Sequence, residues 1–194
     1  FYGVVLQDIG DVYQAQGQLE QALGYYQRAA EIKERGNDVS DLVGALQTMA
    51  DVQVELGQTA EAQQRYERCL ALLQGLLASV EPLLLAGVYH RLGRLHKQQE
   101  RYEEALEAYR QALQLLDAEQ EPQFYGVVLH DIGDVYLAQG QLEQVLEYYQ
   151  RAAEAKERGN DLNGLVTTLR ALADVQVALG QTAEALQTLE KGLP

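Results

Sequence analysis

The chain has 194 residues, of which 47% are hydrophobic and 23% are charged, a composition typical of a folded protein and not of a disordered tail. Fifteen basic against twenty-nine acidic side chains give a net charge of −14, so nucleic acids and anionic lipids would be repelled. The single cysteine, Cys69, excludes a disulfide within the chain and a cysteine-rich zinc site. We therefore expect neither nucleic acid nor a membrane as a partner.

The sequence repeats itself at two lengths. Residues 1–70 align without gaps on residues 124–193, and 51 of the 70 positions are identical. Within this long copy lies a shorter unit, whose similar segments begin at positions 17, 57, 100, 140 and 180. This spacing predicts five repeats of about forty residues. Their approximate bounds are 1–38, 39–81, 82–121, 122–160 and 161–194.

Each repeat contains two amphipathic helical patterns. Apolar residues recur at i, i+3, i+4 and i+7, and breaks such as Gly17-Gln18 separate the two runs. In the RGND segments at 35–38 and 158–161, we expect glycine to take the left-handed helix end and Asn or Asp to cap the next helix. No strand pattern competes. The predicted helices, in chain order, span 2–16, 19–35, 39–56, 59–79, 82–98, 101–118, 122–139, 142–158, 161–179 and 182–192.

The leucine-rich stretch at residues 70–89 has the length of a membrane span. Gln74, Glu81 and Pro82 interrupt it, and a Glu-Pro pair is typical of a helix that begins with proline at its first position. The pattern therefore favours two helices that meet at a turn over a single membrane-spanning helix.

Small and aromatic residues recur in columns through the repeats. A missing side chain lets two helix axes come closer than the usual separation of about 8–10 Å. We expect small residues where paired helices approach, in a first-helix column formed by Gly10, Ala50, Gly93, Gly133 and Ala173. We expect tyrosines to fill the space between neighbouring pairs at Tyr26, Tyr66, Tyr109 and Tyr149.

These residues form a pattern that resembles the tetratricopeptide repeat over essentially the whole chain. The pattern in the first repeat consists of Ile9-Gly10, Tyr13, Gly17, Leu19, Ala22, Tyr26 and Ala29. The family's early tryptophan is absent, since Leu6 takes that position, and the repeat is longer than the family's usual thirty-four residues. In length it is similar to the branch found in spindle-orientation adaptors, kinesin light chains, bacterial signalling ATPases and transcriptional regulators.

The resemblance implies an all-α fold, a right-handed superhelical solenoid of stacked antiparallel helix pairs. It implies one domain over residues 1–194 that is part of a longer protein. It also implies that the first helices of the pairs line a concave groove, in which a peptide or protein segment binds.

The family's groove positions fall on the first helix of each repeat. Aspartate takes one groove column in four repeats, and Arg94 replaces it in the third. We expect these residues to register a protein or peptide of mixed charge, with apolar contacts from Val54 and Leu137. The alternative is that they are solvated helix faces, with Asp and Arg pairing between neighbouring first helices. The predicted contact residues are Gln47, Asp51, Val54, His90, Arg94, Lys97, His130, Asp134, Leu137, Arg170 and Asp174.

The sequence contains no motif for catalysis or for a cofactor. His90 and His130 occupy equivalent positions in adjacent repeats, but no third ligand converges on them, so polar groove lining is favoured over a metal site. Cys69 replaces an alanine and is expected to be a small core residue. We therefore expect a protein that is not an enzyme and that holds no cofactor or metal.

Two other functions stay open at this point. Leu186, Leu189 and Leu193 leave the last helix apolar, which is compatible with end-to-end self-association. The chain is also compatible with a regulatory sensor arm of a larger signalling ATPase or transcriptional regulator. The lone thiol and the absence of an export signal favour a cytoplasmic location.

Overall fold

The structure is a computed structural model that describes residues 2–36, 39–75 and 82–192. Within these ranges the chain forms ten α-helices and no strand, which confirms the predicted all-α class. The helices are α1 Tyr2–Ala15, α2 Leu19–Arg35, α3 Val39–Glu55, α4 Thr59–Gln74, α5 Pro82–Gln98, α6 Tyr102–Leu115, α7 Pro122–Ala138, α8 Leu142–Arg158, α9 Leu162–Ala178 and α10 Thr182–Glu190.

The helices pack as antiparallel pairs inside two compact units, Phe1–Leu95 and His96–Pro194, whose boundary falls within α5. In unit 1, α1 packs on α2, and α3 packs on both α2 and α4. In unit 2, α7 packs on α8, and α9 packs on both α8 and α10. Each pair thus covers an apolar face of its neighbour, as repeat proteins require. That residues 1–194 form a single domain stays a prediction.

The four tyrosines of the second helices are buried, and in unit 2 Tyr149 packs with Leu172 and Val175 of the neighbouring pair, as the sequence predicts. The rings also contact the first helix of their own pair. Tyr26, Tyr66, Tyr109 and Tyr149 are fully buried. A Cβ atom added at Gly10 would lie 2.5 Å from the ring of Tyr26, and one added at Gly133 would lie 2.5 Å from the ring of Tyr149. The predicted close approach is confirmed at these two glycines, because the aromatic ring occupies the space that a side chain would need.

The left-handed residue between α8 and α9 is Asn160 and not the predicted glycine. Gly159 has a φ of −78°, in the right-handed region, whereas Asn160 has a φ of 54°. Asparagine tolerates this conformation because its short polar side chain can form local hydrogen bonds. The carboxylate of Asp161 accepts a hydrogen bond from the backbone N–H of Gly164 at 2.9 Å, which confirms the predicted cap of α9. Residues 37–38, in the first copy of this segment, lie outside the described residues.

The predicted end of α6 at residue 118 is wrong, because the helix ends at Leu115. Leu116 has extended backbone angles, φ −95° and ψ 135°. The carboxylate of Asp117 then accepts hydrogen bonds from the backbone N–H groups of Glu119 and Gln120 at 2.8 and 3.3 Å. This local bonding offers the backbone an alternative to another helical turn, and an Asp directly after Leu115-Leu116 could have indicated it.

The leucine-rich stretch is divided between two helices, as predicted. α4 ends at Gln74, and α5 begins at Pro82. The predicted extension of α4 to residue 79 and Glu81 lie outside the described residues. In the part of the chain that the structure describes, no helix combines the length and the apolar character needed to cross a bilayer.

Cys69 is a core residue of unit 1, which confirms its predicted role. The side chain is fully buried, and Sγ donates a hydrogen bond to the backbone carbonyl of Val43 at 3.8 Å. Burial raises the pKa of the Cys69 thiol to about 12, so the group stays protonated at neutral pH. A buried, protonated thiol is not a nucleophile.

The turn inside each helix pair predicts the effect of one substitution. Gly17, Gly57, Gly140 and Gly180 have positive φ there, and Glu100 takes the equivalent place with a φ of 59°. A side chain in this region is strained, so we expect Glu100→Gly to raise the free energy of unfolding by about 0.5–1 kcal/mol. Urea unfolding measures the change. The matched variant Gly140→Ala, in the next repeat, should lower the same quantity by about 1 kcal/mol. A Glu100→Gly protein less stable than the parent would contradict the argument.

Candidate functional site

The odd-numbered helices of unit 1 are joined side to side through polar side chains, which include the predicted contact residue Asp51. The Gln14 side chain on α1 donates a hydrogen bond to the carboxylate of Glu55 on α3 at 3.2 Å. The guanidinium Nε of Arg91 on α5 lies 3.1 Å from Oδ2 of Asp51 on α3 and donates to both carboxylate oxygens. The first helices therefore lie next to one another here, and their polar residues already bind each other.

The same arrangement recurs in unit 2. Lys97 donates from Nζ to Oδ2 of Asp134 on α7 at 2.6 Å. The hydroxyl of Thr168 on α9 lies 3.1 Å from Nδ1 of His130 on α7. Asp51 and Asp134 thus each pair with a cation of the neighbouring first helix, as the alternative considered from the sequence expected for Asp and Arg, and their contact with a partner stays a prediction.

The aspartates of the first helices also form hydrogen bonds with buried tyrosines of the core. Three aspartates on first helices accept hydrogen bonds from tyrosine hydroxyls on the second helices of their own pairs. Burial, followed by the contacts with Asp134, raises the pKa of Tyr149 well above its usual value, so the hydroxyl remains a donor. The pairs are Tyr26–Asp11 at 2.6 Å, Tyr66–Asp51 at 2.5 Å and Tyr149–Asp134 at 2.7 Å.

Unit 2 contains a buried polar network that sequence reasoning missed. Lys156 on α8 is only 4% exposed, and its Nζ donates to the hydroxyl of Thr168 at 2.8 Å and to the carbonyl of Gly164 at 3.4 Å. Burial lowers the pKa of this ammonium group. Gly126 makes room for the chain, because a Cβ there would lie 2.8 Å from Cγ of Lys156. The one signal in the sequence is that Lys156 follows Ala152 and Ala155 on the apolar stripe of α8.

His130 lies at the centre of this network. Its ring stacks on that of Tyr149 with centroids 4.8 Å apart, and its Nε2 lies 3.6 Å from Oδ1 of Asp134. Burial and then the charge of Lys156 lower the pKa of the imidazole below 6.5, against the opposing effect of Asp134. His130 is therefore neutral at physiological pH and acts as a hydrogen-bonding and stacking group of the fold.

Three predicted contact residues have charges without an internal partner. Arg94 on α5 is exposed, and so are Arg170 and Asp174 on α9. Their side chains form no hydrogen bond or ion pair with any residue that the structure describes. Each unit therefore presents at least one charged group on its first helices that is available to an external ligand.

The apolar members of the predicted set differ in exposure. Leu137 on α7 is 44% exposed and Val177, in the equivalent column of α9, is 56% exposed, whereas Val54 on α3 is half-buried. Arg170, Asp174 and Val177 recur at i, i+4 and i+7, so they share one face of α9. Unit 2 thus combines exposed aliphatic surface with available charges of both signs.

Two predicted contact residues are buried. Gln47 on α3 and His90 on α5 are each only 8% exposed. A polar residue in the groove column was expected to face solvent, but at these positions neighbouring helices cover the side chains. They can support the surface from beneath, and they offer a ligand little area of their own.

The described residues 2–36, 39–75 and 82–192 contain no group of three or more His, Cys, Asp or Glu side chains that could hold a metal ion. His90 and His130 lie in different units. The polar groups described above are instead engaged in ion pairs and hydrogen bonds between helices.

Comparison with known families decides what this array of helix pairs is. The family described as tetratricopeptide repeat matches residues 3–75, 84–158 and 127–194. The chain belongs to the tetratricopeptide-repeat family. Tetratricopeptide repeats commonly mediate protein–protein interactions, and the family is generally non-catalytic. No curated protein matches the sequence.

Several solved tetratricopeptide-like structures share the fold. BtubC (BKLC) from P. vanneervenii has a TM-score of 0.84 at 21% identity, with 96% of this chain and 76% of that chain covered. Aspartyl phosphate phosphatase F from Bacillus subtilis has a TM-score of 0.86 at 19% identity, and this chain, 96% covered, spans 48% of it. Repeats of a putative kinesin light chain from Podosopora anserina give 0.74 at 21% identity, with 97% and 92% covered. At these identities the likeness concerns the fold alone.

The lowered pKa of His130 predicts a pH dependence of stability. The unfolded chain takes up a proton near pH 6.5, whereas the folded chain does so only at lower pH. The free energy of unfolding is therefore complete above about pH 6.5 and falls as the pH is lowered toward the folded pKa. We expect His130→Gln to reduce this loss, because glutamine does not titrate. The first copy already carries Gln7 at the equivalent position, where Gln7 accepts a hydrogen bond from Lys33 at 2.6 Å.

Urea unfolding of the parent and of His130→Gln between about pH 7.5 and about pH 5 measures the difference in stability loss, since this range spans the reference pKa of about 6.5. Above pH 7 the two stability curves should run parallel, which serves as the internal control. Identical slopes below pH 6.5 would show that His130 is not held neutral by the fold.

Proposed function

We propose that the chain is a non-enzymatic scaffold that binds a peptide or protein segment of mixed charge on the faces formed by its odd-numbered helices. The observation that carries the proposal is the surface of α7 and α9 in unit 2. There Arg170 and Asp174 have no internal partner, and exposed Leu137 and Val177 accompany them. Membership of a family whose repeats commonly mediate protein–protein interactions supports this reading.

The energetics favour a polypeptide ligand for this surface. Fully burying an aliphatic side chain contributes about 1.5–3 kcal/mol, so covering Val177 and Leu137 would supply affinity. Arg170 and Asp174 are one helical turn apart on the same face and have opposite signs. They would register a ligand with an acidic group opposite Arg170 and a basic group opposite Asp174, which gives specificity more than affinity.

The internally paired residues have a different role in this proposal. Asp51 binds Arg91 and Tyr66, and Asp134 binds Lys97 and Tyr149, so their carboxylates hold neighbouring helices in register. They would shape the binding surface and remain able to contact a ligand through their half-exposed edges. The available charges are the primary contacts.

Peptide selection followed by mutation tests this function. Ligands selected from a random peptide display library against the intact chain would be synthesised, and their dissociation constants measured. We expect the combined variant Arg170→Ala, Asp174→Ala and Val177→Ser to weaken binding by tenfold or more, because it removes about 1.4 kcal/mol or more of contact energy. Gln144→Ala, at an exposed position on α8, is the matched control and should bind as the parent does.

Unchanged affinity in the triple variant would overturn the proposal for this surface. The failure of any peptide to be enriched, with a folded chain on the support, would count equally against it. Thermal unfolding of the triple variant guards against misinterpretation, because all three positions are exposed and their replacement should leave the melting temperature near that of the parent.

A second candidate, end-to-end association, rests on a specific comparison within the chain. Val5 and Val12 on α1 are exposed, whereas their identical counterparts in the second copy, Val128 and Val135 on α7, are fully buried. The face of α1 thus has the chemistry of a covered surface. In unit 2, Leu186 and Leu189 of α10 are also exposed, while the predicted third member of that set, residue 193, lies outside the described residues.

Sedimentation velocity across a range of concentrations tests this candidate. If α1 mediates association, the mass of the parent should rise with concentration, and Val12→Ser should suppress the rise by removing apolar contact area. Val177→Ser, at an exposed valine on α9, is the matched control. A monomer at every concentration would exclude association through these ends.

A further inference from the structure

Two equivalent cavities lie on the second helices, away from the faces discussed above. The outer groove of unit 1 runs between α2 and α4 over α3, and the outer groove of unit 2 runs between α8 and α10 over α9. All ten residues that line the first groove have counterparts among those that line the second, at the same offset of 123 positions. Seven of the ten are identical. A cavity at corresponding places in both copies is a property of the repeat.

Two arginines line the outer groove of unit 1. Arg68 on α4 forms an ion pair with Glu34 on α2 across the mouth of the groove. Arg65 donates to the side-chain oxygen of Gln53 at 2.6 Å, and its chain occupies part of the cavity. The remaining volume is about 390 Å3. Two carboxylates, Glu31 and Glu34, line this groove with the two guanidiniums, and the charge of a third carboxylate, Glu61, acts on Arg65.

The outer groove of unit 2 is larger and has shorter side chains in place of the arginines. Thr188 takes the place of Arg65, and its hydroxyl donates to Gln176 at 2.8 Å, inside the wall of the groove. Lys191 takes the place of Arg68 and forms no ion pair with Glu157 or any other residue that the structure describes. The volume is about 620 Å3, within the range of roughly 300–1,000 Å3 of ligand clefts.

The outer groove of unit 2 has an apolar floor and an acidic rim. Leu165, Leu169 and Leu172 of α9 form the floor. Three carboxylates line the rim against the single ammonium of Lys191, and none has a side-chain hydrogen bond or ion pair among the described residues. They are Glu154, Glu157 and Glu184. The groove of unit 2 therefore has an excess of two negative charges, whereas the excess in unit 1 is one when Glu61, the counterpart of Glu184, is counted.

We propose that the outer groove of unit 2 binds a short polypeptide segment whose aliphatic side chains are flanked by Lys or Arg. The leucine floor would accept the aliphatic side chains, and Glu154, Glu157 and Glu184 would bind the cations at the rim. This surface is formed by the even-numbered helices and the outer side of α9, so it goes beyond the proposed function and does not depend on it.

Charge decides between the candidate occupants. Phosphate-bearing ligands would meet uncompensated carboxylates. A second copy of this chain has a net charge of −14, so it would be repelled by an acidic rim. A basic, aliphatic segment is the ligand whose charge and polarity match both the rim and the floor.

Binding of a defined peptide tests the proposal. The probe is a fluorescent helical peptide with leucines at i, i+3, i+4 and i+7 and lysines on both flanks, and its control has glutamates in place of the lysines. We expect the intact chain to bind the lysine peptide at one site and the glutamate peptide on the order of tenfold more weakly. The exposed pair Glu154→Gln and Glu157→Gln should weaken lysine-peptide binding by a similar factor, because it removes two rim charges.

The other copy supplies the matched variants. Thr188→Arg with Lys191→Arg gives unit 2 the arginines of unit 1 and should abolish binding, because the arginines reduce the volume of the groove and add a positive charge at its rim. Arg65→Thr with Arg68→Lys gives unit 1 the residues of unit 2 and should raise the stoichiometry from one site to two. Glu31→Gln with Glu34→Gln, in the outer groove of unit 1, should leave the affinity for the lysine peptide unchanged.

Each alternative outcome overturns the inference. Equal affinity for the two peptides would exclude recognition by the acidic rim. If binding survives Thr188→Arg with Lys191→Arg, or survives Glu154→Gln with Glu157→Gln in a folded protein, then this groove is not the site. If binding is lost only in the triple variant at Arg170, Asp174 and Val177, the peptide occupies the inner face. If sedimentation shows a dimer that Thr188→Arg with Lys191→Arg disrupts, a second copy is the occupant.

Discussion

In three helix pairs, the hydroxyl of a buried tyrosine donates to an aspartate on the partner helix, and much of the structure depends on this bond. The ring sets the separation of the two helices, since Gly10 and Gly133 leave no room for a side chain beneath it. The hydroxyl fixes their register, because a buried donor without a partner is costly. Two of the three aspartates, Asp51 and Asp134, are thereby held where a cation from the neighbouring first helix reaches them. Core packing and the polar inner face are one connected set of contacts.

Periodicity and the repeat accounted for most of the fold. Within the described residues, the ten helices, their pairing and their buried tyrosines follow from apolar spacing, because a helix pair can bury its apolar stripe only against a neighbour. Local side-chain chemistry was harder to predict. Asp117 ends α6 through bonds to the following backbone, and Asn160 adopts the left-handed conformation expected of Gly159. In both cases a polar side chain competes with the glycine or helix signal at short range.

The candidate site could be predicted only by column. The sequence places polar columns on the first helices, but a column does not report how far a neighbouring helix covers each side chain. Gln47 and His90 are therefore buried while Arg170 and Asp174 are exposed. Lys156 was missed because a lysine on an apolar stripe is ordinarily assigned to solvent, and its burial depends on Thr168 in another repeat.

The two copies show how one backbone supports different polar networks. In the first copy, Gln7 accepts a hydrogen bond directly from Lys33. In the second, the lysine donates instead to Thr168, which lies beside His130. His130 and Thr168 are in contact and take the positions of Gln7 and Ala45 in the first copy. The two differences therefore belong to one hydrogen-bond network. The helix pairs thus remain constant while their polar contents diverge.

The position of the single cysteine makes the local opening of unit 1 measurable. Cys69 lies sealed between α3 and α4, with its sulfur against the carbonyl of Val43. Alkylating reagents reach such an atom only during excursions that separate the two helices. The rate at which Cys69 is alkylated in the parent chain would therefore report how often α3 and α4 separate, and no engineered reporter is needed.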